Sequence, residues 1–406
     1  MLMNNDKSTH PGNNEIRVGI IGCGMIAANH AMSYANIPGV KLVACCDVDT
    51  AKMNAFGDRW NIPDRYSDYR ELIARDDLDS IDLCVHNNLH APLAIAAMRA
   101  GHNVYCEKPM AGSYIDAKRM YEVSEETGKL LHIQLGRIYT PQAHAAKELI
   151  DSGALGNVYH MRSYGYRRRF RPFMDISSNG FAKAFNSSEW AGHGALYDMG
   201  VYHISLMLYL LNNPKVERVS GHLYQEIPLD PVNSKLVDFD VEEMGVGLVT
   251  FENNLSMDVL ETWAIHAGPE SFPPNLVVGS KAGLAIKPMA DKLGFGVSDA
   301  LVMYSDIGNY LTNTTFDLVH GEMRRNRLDP ITACYNDTVD HWVHALRGHC
   351  PLINSKDLAL NMVKIANGMA LSSEYKREMF AQEIEELSVS NAKRTQETPF
   401  GTFHYE

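Results

Sequence analysis

Short apolar runs and amphipathic stretches alternate through the first third of the chain. "IRVGIIGCG" (16–24) is apolar apart from Arg17 near its start and ends in glycines, the pattern of a buried parallel strand. "MIAANHAMSYANI" (25–37) then has helical spacing, and "VKLVACCDVD" (40–49) is a second strand-like run. "IDLCVH" (81–86) is a third, followed by a helix "APLAIAAMRAG" (91–101) and a strand "NVYCEKP" (103–109). A helix over 113–128 and the apolar run "LLHIQLG" (130–136) complete the series. Strand and helix alternate over 16–137, which predicts a doubly wound α/β domain of the Rossmann type.

The pattern changes near residue 141. A helix "PQAHAAKELIDSG" (141–153) leads into "NVYHMRSYGYR" (157–167), whose alternation predicts a strand with one exposed face. Strand-like runs then cluster at 216–225, 243–252, 255–265, 274–286 and 301–305, and helical spacing returns at 331–347 and 356–378. Clustered strands after a βαβ unit predict an α+β domain on a mostly antiparallel sheet. The expected divisions are a disordered tail at 1–14, an α/β domain at 15–140, an α+β domain at 141–380, and a polar tail or arm at 381–406.

Composition narrows the partners. A formal net charge of −12 argues against nucleic acid or an anionic membrane, and "GYRRRFRP" (165–172) is the one basic patch. Its Arg168 and Arg169 read as a solvated strand edge in preference to pyrophosphate ligands. No apolar run approaches the length of a membrane span, and the polar N-terminus lacks a signal-peptide core. Seven cysteines without metal-like spacing, several inside apolar runs, suggest a reduced cytoplasmic protein. No histidine pair has metal-ligand spacing with a carboxylate neighbour, so no metal is expected.

The chemistry begins at "GCGMIA", a G-x-G-x-x-A element with Gly22, Gly24 and Ala27, after which Met25 and Ile26 open a helix. The first glycine makes the turn, and the second lets backbone approach a pyrophosphate at the helix N-terminus. Asp47 ends the second strand 25 residues after Gly22, where an acid binds the adenosine ribose and repels a 2′-phosphate. NAD is therefore favoured over NADP, with Asp49 as the alternative ribose ligand. Glu107 and Lys108 follow a strand at the carboxyl end of the sheet, where such sheets bind ligands. Lys108 is the candidate proton-transfer group, its pKa expected to fall in a partly dry cleft.

"GALYDMGVYHI" (194–204) places Asp198, Tyr202 and His203 among apolar neighbours. A helix over 198–211 would align Asp198, Tyr202, Ser205 and Tyr209 on one face. Trp190 and His193 precede this stretch, and "LGRIYTPQ" adds Arg137 and Tyr139, polar and aromatic groups suited to a sugar ring.

"GIIGCGMIAANHA", "HAPLAIAAMRAGHNVYCEKPMA", "KELIDSGALGNV" and "GALYDMGVYHI" resemble the Gfo/Idh/MocA oxidoreductases over roughly 16–380. The resemblance implies NAD(P)-dependent oxidation or reduction of a sugar, polyol or glycoside, a dinucleotide-binding Rossmann domain at 15–140, and at 141–380 a substrate-binding domain whose large, open-faced sheet serves homo-oligomerisation. It places Lys108 beside the nicotinamide and the substrate hydroxyl, Asp198 as substrate anchor and Tyr202 in the family's histidine slot. Lys108 is then the principal acid/base with Tyr202 as its partner; His203 reads first as a core or supporting histidine, with contact to substrate or the second proton-transfer role as the alternative. The chain departs from the family at "CVHNNLH" (84–90), where Val85 and His86 replace the usual Thr-Pro while His90 is kept. Val85, His86 and Asn87 are expected on the cofactor, and His86 either reaches substrate or bonds to backbone. The leading expectation is a dehydrogenase, with C3 of a glucoside as the specific position. A redox-assisted glycoside hydrolase holding its NAD, and a non-catalytic NAD or sugar sensor, are the alternatives.

Overall fold

The computed structural model describes residues 15–175, 185–230, 232, 235, 239–268, 271, 273–287, 300–398 and 401–405. The expected tail at 1–14 lies outside them. Six parallel strands form the first sheet: β1 (Ile16–Ile21), β2 (Val40–Cys46), β3 (Asp64–Tyr66), β4 (Ser80–Leu83), β5 (Asn103–Cys106) and β6 (Leu131–Ile133). Their order is β3-β2-β1-β4-β5-β6, so the chain reverses direction across the sheet between β1 and β4 and opens a crevice there. The helices α1 (Met25–Ala35), α2 (Thr50–Trp60), α3 (Tyr69–Ile73), α4 (Asn87–Arg99) and α5 (Tyr114–Thr127) connect them. Side chains cap several of these starts: Asp49 accepts from the Ala51 and Lys52 amides, and Ser113 from that of Asp116.

Helix α6 (Pro141–Asp151) leads to a nine-stranded sheet. It holds β7 (Val158–Tyr166), β8 (Val216–Tyr224), β9 (Met244–Phe251), β10 (Leu255–Thr262), β11 (Asn275–Gly279), β12 (Ala282–Lys287), β13 (Ala300–Ile307), β14 (Tyr310–Thr315) and β15 (Met379–Phe380). Only β7 and β10 pair in parallel. β10 alternates buried and half-buried positions, as a sheet covered on one face requires. Between β7 and β8 lie α7 (Ser188–Ala191), α8 (Ala195–Asp198) and α9 (Gly200–Leu210); α10 (Leu318–Leu328), α11 (Thr338–Leu346), α12 (Ser355–Tyr375) and α13 (Ala381–Leu387) follow β14.

Three elements depart from the sequence reading. The helix expected over 198–211 is two helices, because the Tyr202 amide bonds back three residues to the Met199 carbonyl in a tighter turn. The helical stretch at 331–347 is likewise interrupted: a 3-10 turn (Pro330–Tyr335) ends, and Asp337 caps a fresh start through the Val339 and Asp340 amides. The segment 381–406 carries α13 and the hairpin β16 (Thr395–Thr398) with β17 (Gly401–His404).

Packing also crosses the expected division at 140. Val339, Trp342 and Val343 of α11 belong to the hydrophobic cluster of Val18, Ile20 and Tyr105, and the Trp342 indole donates to Ser80 Oγ of β4 at 3.0 Å. The division is spatial, therefore, and not a cut in the chain.

A charged network is buried beneath the carboxyl ends of β4 and β5. His30 Nδ1 lies 2.9 Å from Asp82 Oδ2, and its Nε2 lies 2.9 Å from Glu107 Oε1. Burial disfavours the imidazolium, but Asp82 and Cys84 beside it win and raise the His30 pKa well above the ordinary value. Cys84 Sγ is 3.3 Å from His30 Nδ1, so His30, Asp82 and Cys84 converge in the way metal ligands can. The hydrogen bonds among them already satisfy the imidazole. His30→Ala would leave two buried carboxylates without their counter-charge, at an expected cost of about 3 kcal/mol or more. Urea denaturation measures it, and a loss below about 1 kcal/mol would mean that water takes the place of the imidazole.

Candidate active site

Two cavities meet in the crevice above the first sheet. One, of about 300 Å³, is lined by Gly22, Gly24, Asp47 and Tyr69; the other, of about 440 Å³, by Lys108, Asp198, Tyr202 and Trp263. Met25, Ile26, Val85 and His86 line both, so one continuous cleft runs between them.

The first cavity has the features of a dinucleotide cradle. Gly22 has φ +93°, and a Cβ there would stand 2.2 Å from the Cys84 carbonyl oxygen. A Cβ on Gly24 would meet nothing within 4 Å, so the open space above that residue is free for a phosphate. Gly24 caps α1 with no side-chain bond, which leaves the first-turn amides pointing at the cavity. Asp47 accepts the Cys23 amide on Oδ2 and the Asp49 amide on Oδ1, both at 2.8 Å. Each oxygen keeps a lone pair for a ribose hydroxyl. Asp49 is spent on capping α2, yet it also borders the cavity.

In the second cavity Lys108 Nζ donates to Asp198 Oδ1 at 2.9 Å. The Trp263 indole, with a fully buried side chain, donates to Asp198 Oδ2 at 2.9 Å, and Arg167 Nη1 lies 3.8 Å from the same oxygen. Lys108 Nζ also sits 4.8 Å from the centre of the Tyr202 ring, a cation against an aromatic face. Asp198 is aimed by its helix. The buried Glu242 carboxylate accepts the Gly194 and Leu196 amides at 2.9 and 3.0 Å, fixing the start of α8 four residues before Asp198.

The expected fall in the Lys108 pKa is reversed. Burial does disfavour the ammonium, but Asp198, Tyr202 and Glu107 surround it and raise its pKa above the ordinary lysine value. Burial likewise opposes the Asp198 carboxylate, and Lys108 and Arg167 hold its pKa below the usual range all the same. The resting pair is an ammonium and a carboxylate.

The remaining candidates scatter. His86 lines both cavities, stands edge-on to Trp190 at 5.2 Å between ring centres, and is pushed down to about 4 by burial, so its imidazole is neutral. Asn87 borders the second cavity and donates to the Ala191 carbonyl, tying the loop to α7. His193 borders that cavity too and stacks on Tyr197. Glu107 lies at the cavity wall with its carboxylate on His30. His90 is fully buried, with one ring nitrogen on the Pro109 carbonyl and the other on that of Val85, so it shapes the loops behind the cleft. His203 turns from the cleft and bonds Glu261 Oε2 at 3.0 Å. Tyr139 is in the core with its hydroxyl 3.1 Å from His132, and the charge of Arg137 acts on Glu261. Neither Arg137 nor Tyr139 is among the residues lining the cleft. Of the expected polar stripe only Asp198 and Tyr202 border the cleft, and Ser205 is buried.

Sequence reasoning missed Trp263, Arg167, Gln396 and Tyr405. Trp263 lies within a strand-like run that also looks like ordinary core, and Arg167 sits beside Arg168 and Arg169 in a basic patch whose pattern does not set it apart. Arg168 is exposed as expected, whereas Arg171 is buried against Asp175 and Glu243.

Residues 16–135 match the model of the oxidoreductase family with an NAD-binding Rossmann fold, and residues 143–285 that of the GFO/IDH/MocA C-terminal domain. The chain is similar to D-glucoside 3-dehydrogenase of Escherichia coli K12, 25% identical over 67% of this chain and 77% of that one. It is 32% identical to inositol 2-dehydrogenase of Salmonella paratyphi B, over 48% of this chain and 55% of the relative. A levoglucosan dehydrogenase solved with NADH and levoglucosan shares the fold, with a TM-score of 0.73 and 22% identity, over 90% of this chain and 99% of that one. No described helix is long and apolar enough to cross a membrane. The chain belongs to the GFO/IDH/MocA oxidoreductase family and carries that family's NAD-binding Rossmann domain.

Proposed function

We propose that the protein oxidises a ring hydroxyl of a sugar or glycoside with NAD, and that C3 of a glucoside is the position attacked. The observation that carries this reading is the Lys108–Asp198 pair, with Trp263 behind it, in a cleft continuous with the phosphate loop. The relatives named for glucoside and inositol dehydrogenation support the substrate class. When bound, the nicotinamide supplies the acceptor for the hydride that leaves carbon.

The chain's own residues handle the proton. Asp198 accepts a hydrogen bond from one substrate hydroxyl and, with Arg167 and Trp263 on its other oxygen, keeps its direction. Lys108 takes the proton of the reacting hydroxyl in oxidation and returns it in reduction. Because the resting lysine is an ammonium, it is ready as an acid for reduction and must first lose a proton to act as a base. Tyr202 offers its ring face to the ammonium, and His86, with Trp190 edge-on behind it, lines the cavity where a sugar ring can pack. Homo-oligomer contacts belong on the second sheet, where Leu248, Tyr310 and Leu311 are exposed.

A panel of sugars and aryl glycosides with NAD tests the reading directly. Formation of reduced nicotinamide with a 3-keto product is expected, and silence across the panel with NAD still bound would overturn it. Lys108→Ala should lower kcat by about 10²–10⁴-fold while NADH binding, measured by fluorescence, is kept.

The raised Lys108 pKa sets the pH dependence. The protonated form survives beyond the ordinary lysine range, so kcat/KM for oxidation should climb with pH into the alkaline region, while reduction falls only there. Asp198→Asn removes the charge that holds the proton, and its oxidation profile should move to lower pH. An unmoved profile would assign the titration to another group.

Asp47→Ala should raise the KM for NAD by about tenfold and narrow the preference over NADP. Unchanged discrimination would mean that another residue reads the ribose.

A further inference from the structure

The described residues of 389–405 form a strap along the cleft. Asp116 of α5 is its anchor, accepting from Ser390 Oγ at 2.6 Å and from the Asn391 and Ala392 amides at 3.0 and 3.1 Å. Asn391 also donates to the Gly112 carbonyl. Next, the Lys393 amide bonds the Asn88 carbonyl at the start of α4, and its ammonium lies over the Trp190 ring at 4.5 Å. Trp190 is the ring that meets His86, so the strap touches the residue that backs His86 in the second cavity. The chain then turns through the β16–β17 hairpin and returns to the first cavity.

There the strap supplies part of the wall. Tyr405 is only 7% exposed, its ring lies 5.7 Å from that of Tyr69 at an interplanar angle of 21°, and its hydroxyl donates to Gln396 Oε1 at 2.6 Å. Tyr405 and Gln396 line the same cavity as Gly24 and Asp47. A dinucleotide whose pyrophosphate lies at Gly24 and whose ribose lies at Asp47 places its adenine among Tyr69, Tyr405 and the neighbouring apolar side chains. The anchor is dense and polar, whereas Tyr405 reaches the first domain through ring contact. The strap is thus fixed at one end and latched at the other.

We propose that this C-terminal strap is a cofactor clasp: Tyr405, seated on Tyr69 and held by Gln396, covers the adenosine half of the bound dinucleotide, and release requires the hairpin to lift. It rests only on dinucleotide binding in the cleft, so it can fail while sugar oxidation stands, and the reverse.

The test uses the full chain with NADH and no sugar. Displacement of bound NADH by excess NAD is followed by stopped-flow fluorescence for the parent, Tyr405→Ala and Tyr405→Phe. Loss of the ring should speed dissociation at least tenfold, roughly the effect of one aromatic contact together with the area it covers. Tyr405→Phe keeps the ring and should stay within about threefold of the parent. Hydrogen exchange on the unsubstituted protein provides a reading that needs no variant: amides of residues 394–405 should slow when NADH is added. Equal dissociation rates for all three proteins, or exchange in the strap indifferent to NADH, would overturn the clasp.

Discussion

A largely enclosed ion pair joins the two halves of this protein at the place where the chemistry would occur. Lys108 comes from the end of the first sheet and Asp198 from the end of a helix that packs on the second. Removing two charges from water costs more than their attraction returns unless further partners complete the set. Here they do, in strict alternation of sign: Asp82, His30, Glu107, Lys108, Asp198 and Arg167 run from the core of the first domain to a strand of the second. Each charge is stabilised by the next. The position of Lys108 is therefore set by a line of groups that starts far below the cleft.

The same alternation explains the resting protonation of the site. A lone lysine in a dry cleft would release its proton, and that is what local reasoning about burial suggests. Burial is the largest single influence, but Asp198, Tyr202 and Glu107 act together against it and reverse the outcome. Under the proposed reaction, that proton serves reduction directly and has to leave before oxidation.

Much of this was legible in the sequence where one segment carries the whole message. The glycine loop, Asp47, the E-K-P turn and the Asp198/Tyr202 pair each sit within a few residues of the signal that exposes them. The six-stranded sheet followed from alternating runs, and only β3, three residues long, gave no pattern. What was hidden depends on distant partners. Trp263 and Arg167 matter because β10 and β7 pair in parallel and bring their ends beneath Asp198. His30 looked like one polar residue on a helix, and its meaning comes from Asp82, 52 residues away. Tyr405 lies in a segment whose polar composition suggested a tail, and a single aromatic latch carries no periodicity. The break between α8 and α9 was invisible for a related reason: apolar spacing continues straight through it.

Helix α11 brings a different consequence. Trp342 reaches back to Ser80 after more than half of the chain has been laid down elsewhere, and its neighbours Val339 and Val343 close one face of the first domain's core. A nascent chain stopped before this helix leaves that face open to water, so the nucleotide-binding half cannot finish its core until nearly all of the second half exists. The two halves are separable as shapes but not as successive stretches of the gene. Exchange of the second domain between relatives by simple splicing near residue 140 would carry away a piece of the first domain's own interior.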